Sequence, residues 1–236
     1  MKFFATEILS DFISLFYPRY CLACNSGLAK GEETVCTACM LELPRTDYHI
    51  NPENALYRRL QGRVPLEFAT AFVLFRKRGK VQRLLHHLKY NNHPEIGETL
   101  GRVYGEDLRQ HYFGERIDTI IPVPLHALRK KRRGYNQSTE FGKGLSASLE
   151  KPCQEDVLVR ITKTETQTKK TKLMRWQNVK EVFHVARPEE LYQKNVLLVD
   201  DVITTGATIE ACVQMMLQAG CKSVSIASIA YTDEGK

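Results

Sequence analysis

Apolar residues recur along this chain at two spacings, and these separate predicted strands from predicted helices. Short aliphatic runs occur at Ala71–Phe75, Thr119–Val123, Val157–Ile161, Val196–Val199 and Ser223–Ala230, with Pro122 and Pro124 stopping the second. Runs this short and this continuously apolar are typical of strands buried on both faces. Between them, apolar positions repeat every three or four residues. Val81, Leu84, Leu85 and Leu88 share one face of a helix expected over Val81–Tyr90. Further helices are expected over Gly97–Tyr112, Asn136–Leu149 and Ala207–Ala219, the last closed by Gly220. Strand and helix in alternation predict an α/β fold, a mostly parallel sheet with helices on both faces.

The first sixty residues follow another rule. Phe4, Ile8 and Phe12, with Ile13, Leu15 and Phe16, fit one face of an amphipathic helix, interrupted by Glu7 and Asp11. A docked helix is favoured there over a membrane-surface anchor or a signal peptide. Two Cys-x2-Cys pairs follow, Cys21/Cys24 and Cys36/Cys39, joined by NSGLAKGEETV. Each pair presents two thiolates, and the connector lets the pairs face each other, a pattern suited to one tetrahedral zinc. Two disulfides or an iron–sulfur cluster are the alternatives. Metal binding would supply much of the folding free energy of so small a unit. The expected division is a zinc-ribbon-like module at residues 1–60 and an α/β domain at 61–236.

Composition adds one constraint. The 236 residues are 43% hydrophobic and 26% charged, with no uncharged apolar run near the ~20 residues of a membrane span, so a cytoplasmic protein is expected. The net charge of +7 is concentrated in two places, Arg129–Arg133 and a cluster of Lys163, Lys169, Lys170, Lys172 and Arg175. Such clusters are solvated faces or sites for anions.

The stretch NVLLVDDVITTGATIEACV is the most informative in the chain. Aliphatics lead into Asp200 and Asp201, and a Thr204-Thr205-Gly206-Ala207-Thr208 turn leads into a helix. In a parallel sheet, ligands bind beyond the carboxyl ends of the strands. The first amides of the helix have no partner inside it and favour a phosphate. Carboxylates repel phosphate but accept hydrogen bonds from sugar hydroxyls, directly or through magnesium. A 5-phosphorylated ribose satisfies both halves. The alternative is an ordinary strand–turn–helix, with Asp201 as a cap and Asp200 solvated.

A second strand–loop–helix is expected at IIPVPLHALRKKRRGYNQS, whose PVP and RGYNQ features resemble the pyrophosphate-loop region of the amidophosphoribosyltransferases, a resemblance that implies a loop over Leu125–Arg129. Its cations fit pyrophosphate, nucleic acid or solvent, and Tyr90, Tyr135 and Trp176 could stack on bases. The segment TETQTKKTKLMRWQNVKEVF, Thr164–Phe183, is polar, basic and long for a connection between strands.

VLLVDDVITTGAT resembles the phosphoribosyl-pyrophosphate motif of type I phosphoribosyltransferases. The whole set of features (the cysteine module, HHLKYNNH, PVPLH with RGYNQ, TQTKK with RWQNV, and the acid-pair turn) resembles the ComF family, which includes GntX-like proteins, over almost the full chain. The resemblance implies a type I phosphoribosyltransferase-like fold. It implies that Asp200 and Asp201 contact ribose hydroxyls and act in any catalysis together with Arg175. Thr204, Thr205, Gly206, Ala207 and Thr208 would hold the 5-phosphate. Leu125, His126, Arg129, Arg132 and Arg133 would form the pyrophosphate loop, and Gln167, Arg175 and Asn178 would lie on a hood over the sugar phosphate. Magnesium would accompany the pyrophosphate. The family is linked to DNA uptake and competence, which implies single-stranded DNA and a competence helicase as partners. The amidophosphoribosyltransferases, which share the PVP and RGYNQ features, carry a glutaminase domain with an N-terminal cysteine nucleophile. Here the cysteine module stands in that region, so glutamine-dependent chemistry is not expected.

Overall fold

A computed structural model describes residues 19–161 and 183–233. The helix expected at the N-terminus and the hood residues Gln167, Arg175 and Asn178 lie outside them.

Four strands form one parallel sheet in the order β1-β6-β5-β2: β1 (Ala69–Leu74), β2 (Thr119–Pro122), β5 (Asn195–Ile203) and β6 (Ser223–Tyr231). The period-2 rule is visible in β5. Leu197 and Val199 pack into one core, Val196 and Leu198 into the other. The first core contains α3 (Lys80–Tyr90), α4 (Glu95–Gln110), α6 (Gln137–Leu149), the buried Cys21 and, from the short α1 (Thr37–Leu41), the buried Cys39. The second contains α2 (Ala55–Leu60), α7 (Ala207–Gln218) and the pair β3 (Leu158–Arg160) and β4 (Phe183–Val185). The expected α/β architecture with both faces covered is the one found.

Three expectations change. The run Val157–Ile161 is not part of the parallel sheet; β3 pairs antiparallel with β4 in a separate two-stranded sheet. The chain before it touches β2 at one bridge, Ile120 to Cys153, and then leaves the edge. β5 does not stop at Val199 but runs to Ile203, so both acids belong to the strand. The expected loop Leu125–Arg129 ends in a helix, α5 (Ala127–Arg133), in which no side chain is buried. His126 caps it by accepting the Leu128 N–H at 3.3 Å, and Gly134 (φ 85°) closes it in the left-handed region. Basic residues are good helix formers, and four of them sit at the helix's negative end.

α4 and α6 meet through glycines. A Cβ at Gly101 would strike the Phe141 carbonyl, and one at Gly144 the Glu98 carbonyl. Gly97, Gly101 and Gly105 recur every four residues on one face of α4 and meet α6 there. This close approach fixes where α6 begins, and the first turn of α6 faces the acid pair.

Candidate functional site

The site grows from a mismatch at the sheet rim. On one side of β5, pairing with β2 ends at Pro122 and Val199. On the other, pairing with β6 continues through Asp200 and Ser228 to Ile203 and Tyr231. Asp200 and Asp201 therefore sit on an ordered strand with one edge released, and their side chains leave on opposite faces.

The two carboxylates meet different partners. Asp200 Oδ1 accepts the Ser138 hydroxyl at 3.0 Å and the Asp201 N–H at 2.8 Å. Burial first, and then the charge of Asp201, push Asp200 up to about 7, against the lowering effect of those donors and of Lys89. Asp201 is paired instead with Lys89, Nζ to Oδ2 at 2.8 Å. The site thus holds one carboxyl poised to carry a proton and one carboxylate matched by an ammonium.

Asn136 sets the Ser138 contact. Its Oδ1 accepts the Ser138 N–H at 3.3 Å, and its Nδ2 donates to the Val123 carbonyl at 2.9 Å, tying the start of α6 to the end of β2. Tyr135 donates its hydroxyl to the Leu88 carbonyl at 2.6 Å, which fixes the end of α3 where Lys89 sits. The hydroxyl and half-buried ring of Tyr135 are part of this joint, whereas Tyr90 is 61% exposed.

After Ile203 the chain turns through exposed Thr204 and Thr205 to buried Gly206 (φ 80°). The left-handed backbone requires glycine, as does the approach to Leu60, whose Cδ2 would lie 2.5 Å from an added Cβ. Two arginines of the α2 segment clamp the turn from behind. Arg59 donates to the Thr204 carbonyl and Arg63 to the Thr205 carbonyl, each at 2.7 Å, and Arg63 also pairs with Glu210 at 2.6 Å. In a trans peptide the N–H opposes the C=O, so the amides of Thr205 and Gly206 point away from the arginines. Ala207 and Thr208 are exposed on the first turn of α7. The turn thus has its carbonyls held aside and its amides at the start of a helix, an arrangement that suits an anion.

The basic segment stands next to the acid pair. A cavity of about 310 Å³ is lined by Lys89, Tyr90, Asn92, Arg132, Arg133 and Tyr135. Arg133 donates to Gln137 Oε1 at 2.7 Å and lies 5.3 Å from the Tyr90 ring centroid, while its buried Nε has no acceptor among the described residues. The buried Gln137 Nε2 lacks one too. Arg129 and Arg132 are exposed, and Leu125 and His126 are half-buried in the link from β2. Sequence reading missed Lys89, Ser138, Arg59 and Arg63. Each reaches the site from a segment distant in sequence, and only Lys89 carried a hint, as a cation in the last turn of a helix.

At the other end of the first core, the sulfurs of Cys21, Cys24, Cys36 and Cys39 all lie within 4.8 Å of one another. Cys24 and Cys36 are 3.8 Å apart, the edge expected of a tetrahedron with metal–sulfur bonds of about 2.3 Å. Backbone N–H groups point at the thiols, Cys36 to Cys21 at 3.2 Å and Cys39 to Cys36 at 3.4 Å. The cluster could hold a zinc ion.

Residues 111–236 match the family described as the phosphoribosyl transferase domain. Competence protein F of Haemophilus influenzae is 27% identical over 224 residues, covering 91% of this chain and 98% of that protein. DNA utilization protein YhgH of Escherichia coli (strain K12) is 28% identical, covering 90% of this chain and 96% of its own. A solved adenine phosphoribosyltransferase overlays 61% of this chain and 74% of its own at 18% identity, with a TM-score of 0.41. The matched domain spans more than half of the chain, so the chain belongs to the phosphoribosyl transferase domain family, and it is similar over almost its whole length to the competence and DNA utilization proteins.

Proposed function

We propose that this protein binds phosphoribosyl pyrophosphate, with the ribose hydroxyls at Asp200 and Asp201 and the 5-phosphate at residues 204–208. The observation carrying this reading is the clamped turn: two arginines take its carbonyls, and its amides open a helix beside two rim carboxylates. Pyrophosphate would meet Arg129, Arg132 and Arg133, with Leu125 and His126 shaping the link from β2. Two carboxylates, one already paired with Lys89, are too few to cage magnesium, which demands octahedral oxygen coordination. Magnesium would therefore arrive with the ligand's phosphates and waters. Pentosyl transfer from this pocket would place positive charge on the ribose beside the acid pair and negative charge on pyrophosphate beside the guanidinium groups. The hood residues Gln167, Arg175 and Asn178 are proposed from the resemblance alone.

Calorimetry with phosphoribosyl pyrophosphate and magnesium tests the reading. Binding by wild type that is lost in Asp200→Asn with Asp201→Asn supports it, and absence of binding by wild type defeats it. A second reading draws on α5, in which the consecutive cations from Arg129 to Arg132 are exposed. They suit single-stranded DNA, and relatives named for competence and DNA utilization support a role in handling DNA; a competence helicase as partner and a cytoplasmic location are proposed from the family resemblance alone. DNA affinity and salt slope unchanged in Arg132→Ala with Arg133→Ala would reject that surface. The cysteine cluster is proposed as a structural zinc site within the module at 1–60, set before the domain at 61–236. One equivalent of zinc in the purified chain, lost in Cys39→Ser, is expected by metal analysis.

A further inference from the structure

We propose that Lys89 is the switchable cation of the phosphoribosyl site: it neutralises Asp201 when no ligand is bound and turns to the pyrophosphate when ligand enters. This rests on the phosphoribosyl reading above and adds a residue outside the matched segment 111–236. Its ammonium is 2.8 Å from Asp201, while the residue also lines the cavity shared with Arg132 and Arg133. No carboxylate-bearing residue lines that cavity, so Arg132 and Arg133 face it with no acid in its wall, and Lys89 reaches it from the ion pair with Asp201. Lys89 thus belongs to the acid pair and to the basic cavity at once.

The chemistry favours a swing. Asp201 offers one negative charge, and a bound pyrophosphate group offers more. A lysine ammonium on a four-carbon stem can change partner by rotating its terminal bonds, which a planar guanidinium fork does less freely. The base of the stem is anchored, because Tyr135 holds the Leu88 carbonyl at 2.6 Å. When the ammonium leaves, Asp201 is freed to accept a ribose hydroxyl. A ligand bearing pyrophosphate draws Lys89 away and so opens the acid pair, whereas ribose 5-phosphate must compete with the ion pair. Lys89 therefore sets the preference for the pyrophosphate-bearing sugar.

The experiment compares phosphoribosyl pyrophosphate with ribose 5-phosphate by calorimetry on the full chain, magnesium present throughout. In wild type the former binds more tightly. In Lys89→Met the ratio of the two affinities falls by roughly ten- to a hundredfold, the contribution of one charged hydrogen bond. Lys89→Arg, which keeps the charge, restores part of the ratio, and Lys89→Gln reads the same ratio should the methionine variant fold poorly. A ratio unchanged in the uncharged variants, or equal losses for both ligands, overturns the inference and leaves the phosphoribosyl reading standing. Wild type that binds neither ligand overturns that reading itself.

Discussion

The two strand-to-helix passages at the rim are built by opposite means. The passage from β5 to α7 is short, and its backbone is set by packing and hydrogen bonds: Gly206 against Leu60, and two carbonyls held by Arg59 and Arg63. The passage from β2 to α6 is longer and contains α5, in which no residue is fully buried and Arg129 to Arg132 are exposed. One is a fixed cradle, the other an electrostatic field hung beside it. The fixed passage suits a group that must be positioned, such as a sugar phosphate. The charged one suits a group that needs only to be neutralised, such as a leaving pyrophosphate or a nucleic-acid backbone.

The sharpest way to separate them is to remove charge from each in turn. Asp200→Asn with Asp201→Asn should weaken phosphoribosyl pyrophosphate by about a hundredfold or more, because both hydroxyl acceptors are lost at once. Arg132→Ala with Arg133→Ala should cost about tenfold, since neighbouring cations share the task. Calorimetry at one salt concentration decides the order, and reversal would assign the positioning role to the basic passage.

Next in size is the backbone itself. Gly206→Ala meets two penalties, a left-handed φ of 80° and a contact with Leu60 at 2.5 Å. The side-chain end of Leu60 can yield in part, so a loss of about 2 kcal/mol is expected by urea unfolding, with ligand binding weakened as well. At Gly134, equally left-handed, an added Cβ meets nothing within 4 Å. Gly134→Ala should cost about 1 kcal/mol, the backbone term alone.

These cases show what the sequence could reveal. The aliphatic runs located the four parallel strands within a few residues, and VLLVDDVITTGAT disclosed the strand–turn–helix at the rim because that geometry is written in neighbouring residues. Its clamps were not legible. Arg59 and Arg63 precede the turn by 145 and 142 residues, so their role exists only once α2 has packed beneath α7. Val157–Ile161 misled because a three-residue strand in an antiparallel pair has the same apolar signature as an inner strand. The repeat Gly97, Gly101, Gly105 was a readable sign of close helix contact, and α5 was hidden by a basic run that reads equally as loop.

A smaller effect tests the electrostatics of the rim. Asp200 titrates near 7 in the folded chain and near 3.8 when free. Between those values the folded chain keeps a proton that the unfolded chain has released. The stability from this group is thus complete below about pH 4 and declines as pH rises through 7. The decline should be on the order of 1–2 kcal/mol, less than the full shift implies because the residue is only partly buried. Asp200→Asn should flatten it, as read from urea midpoints at pH 5 and pH 8.

The smallest effect belongs to α5. Leu128 is 70% exposed, and none of the seven side chains of this helix is buried. Leu128→Ser or Arg129→Ala should change folding stability by less than about 0.5 kcal/mol, the ordinary range for surface positions without packing. Leu60→Ala, under the other passage and fully buried, should cost about 2–5 kcal/mol. A large loss from Leu128→Ser would mean that α5 packs on something, and the contrast between a built cradle and a hanging field would then have to be abandoned. If stability holds while Arg129→Ala alters the salt dependence of anion binding, the helix is kept for its charge alone.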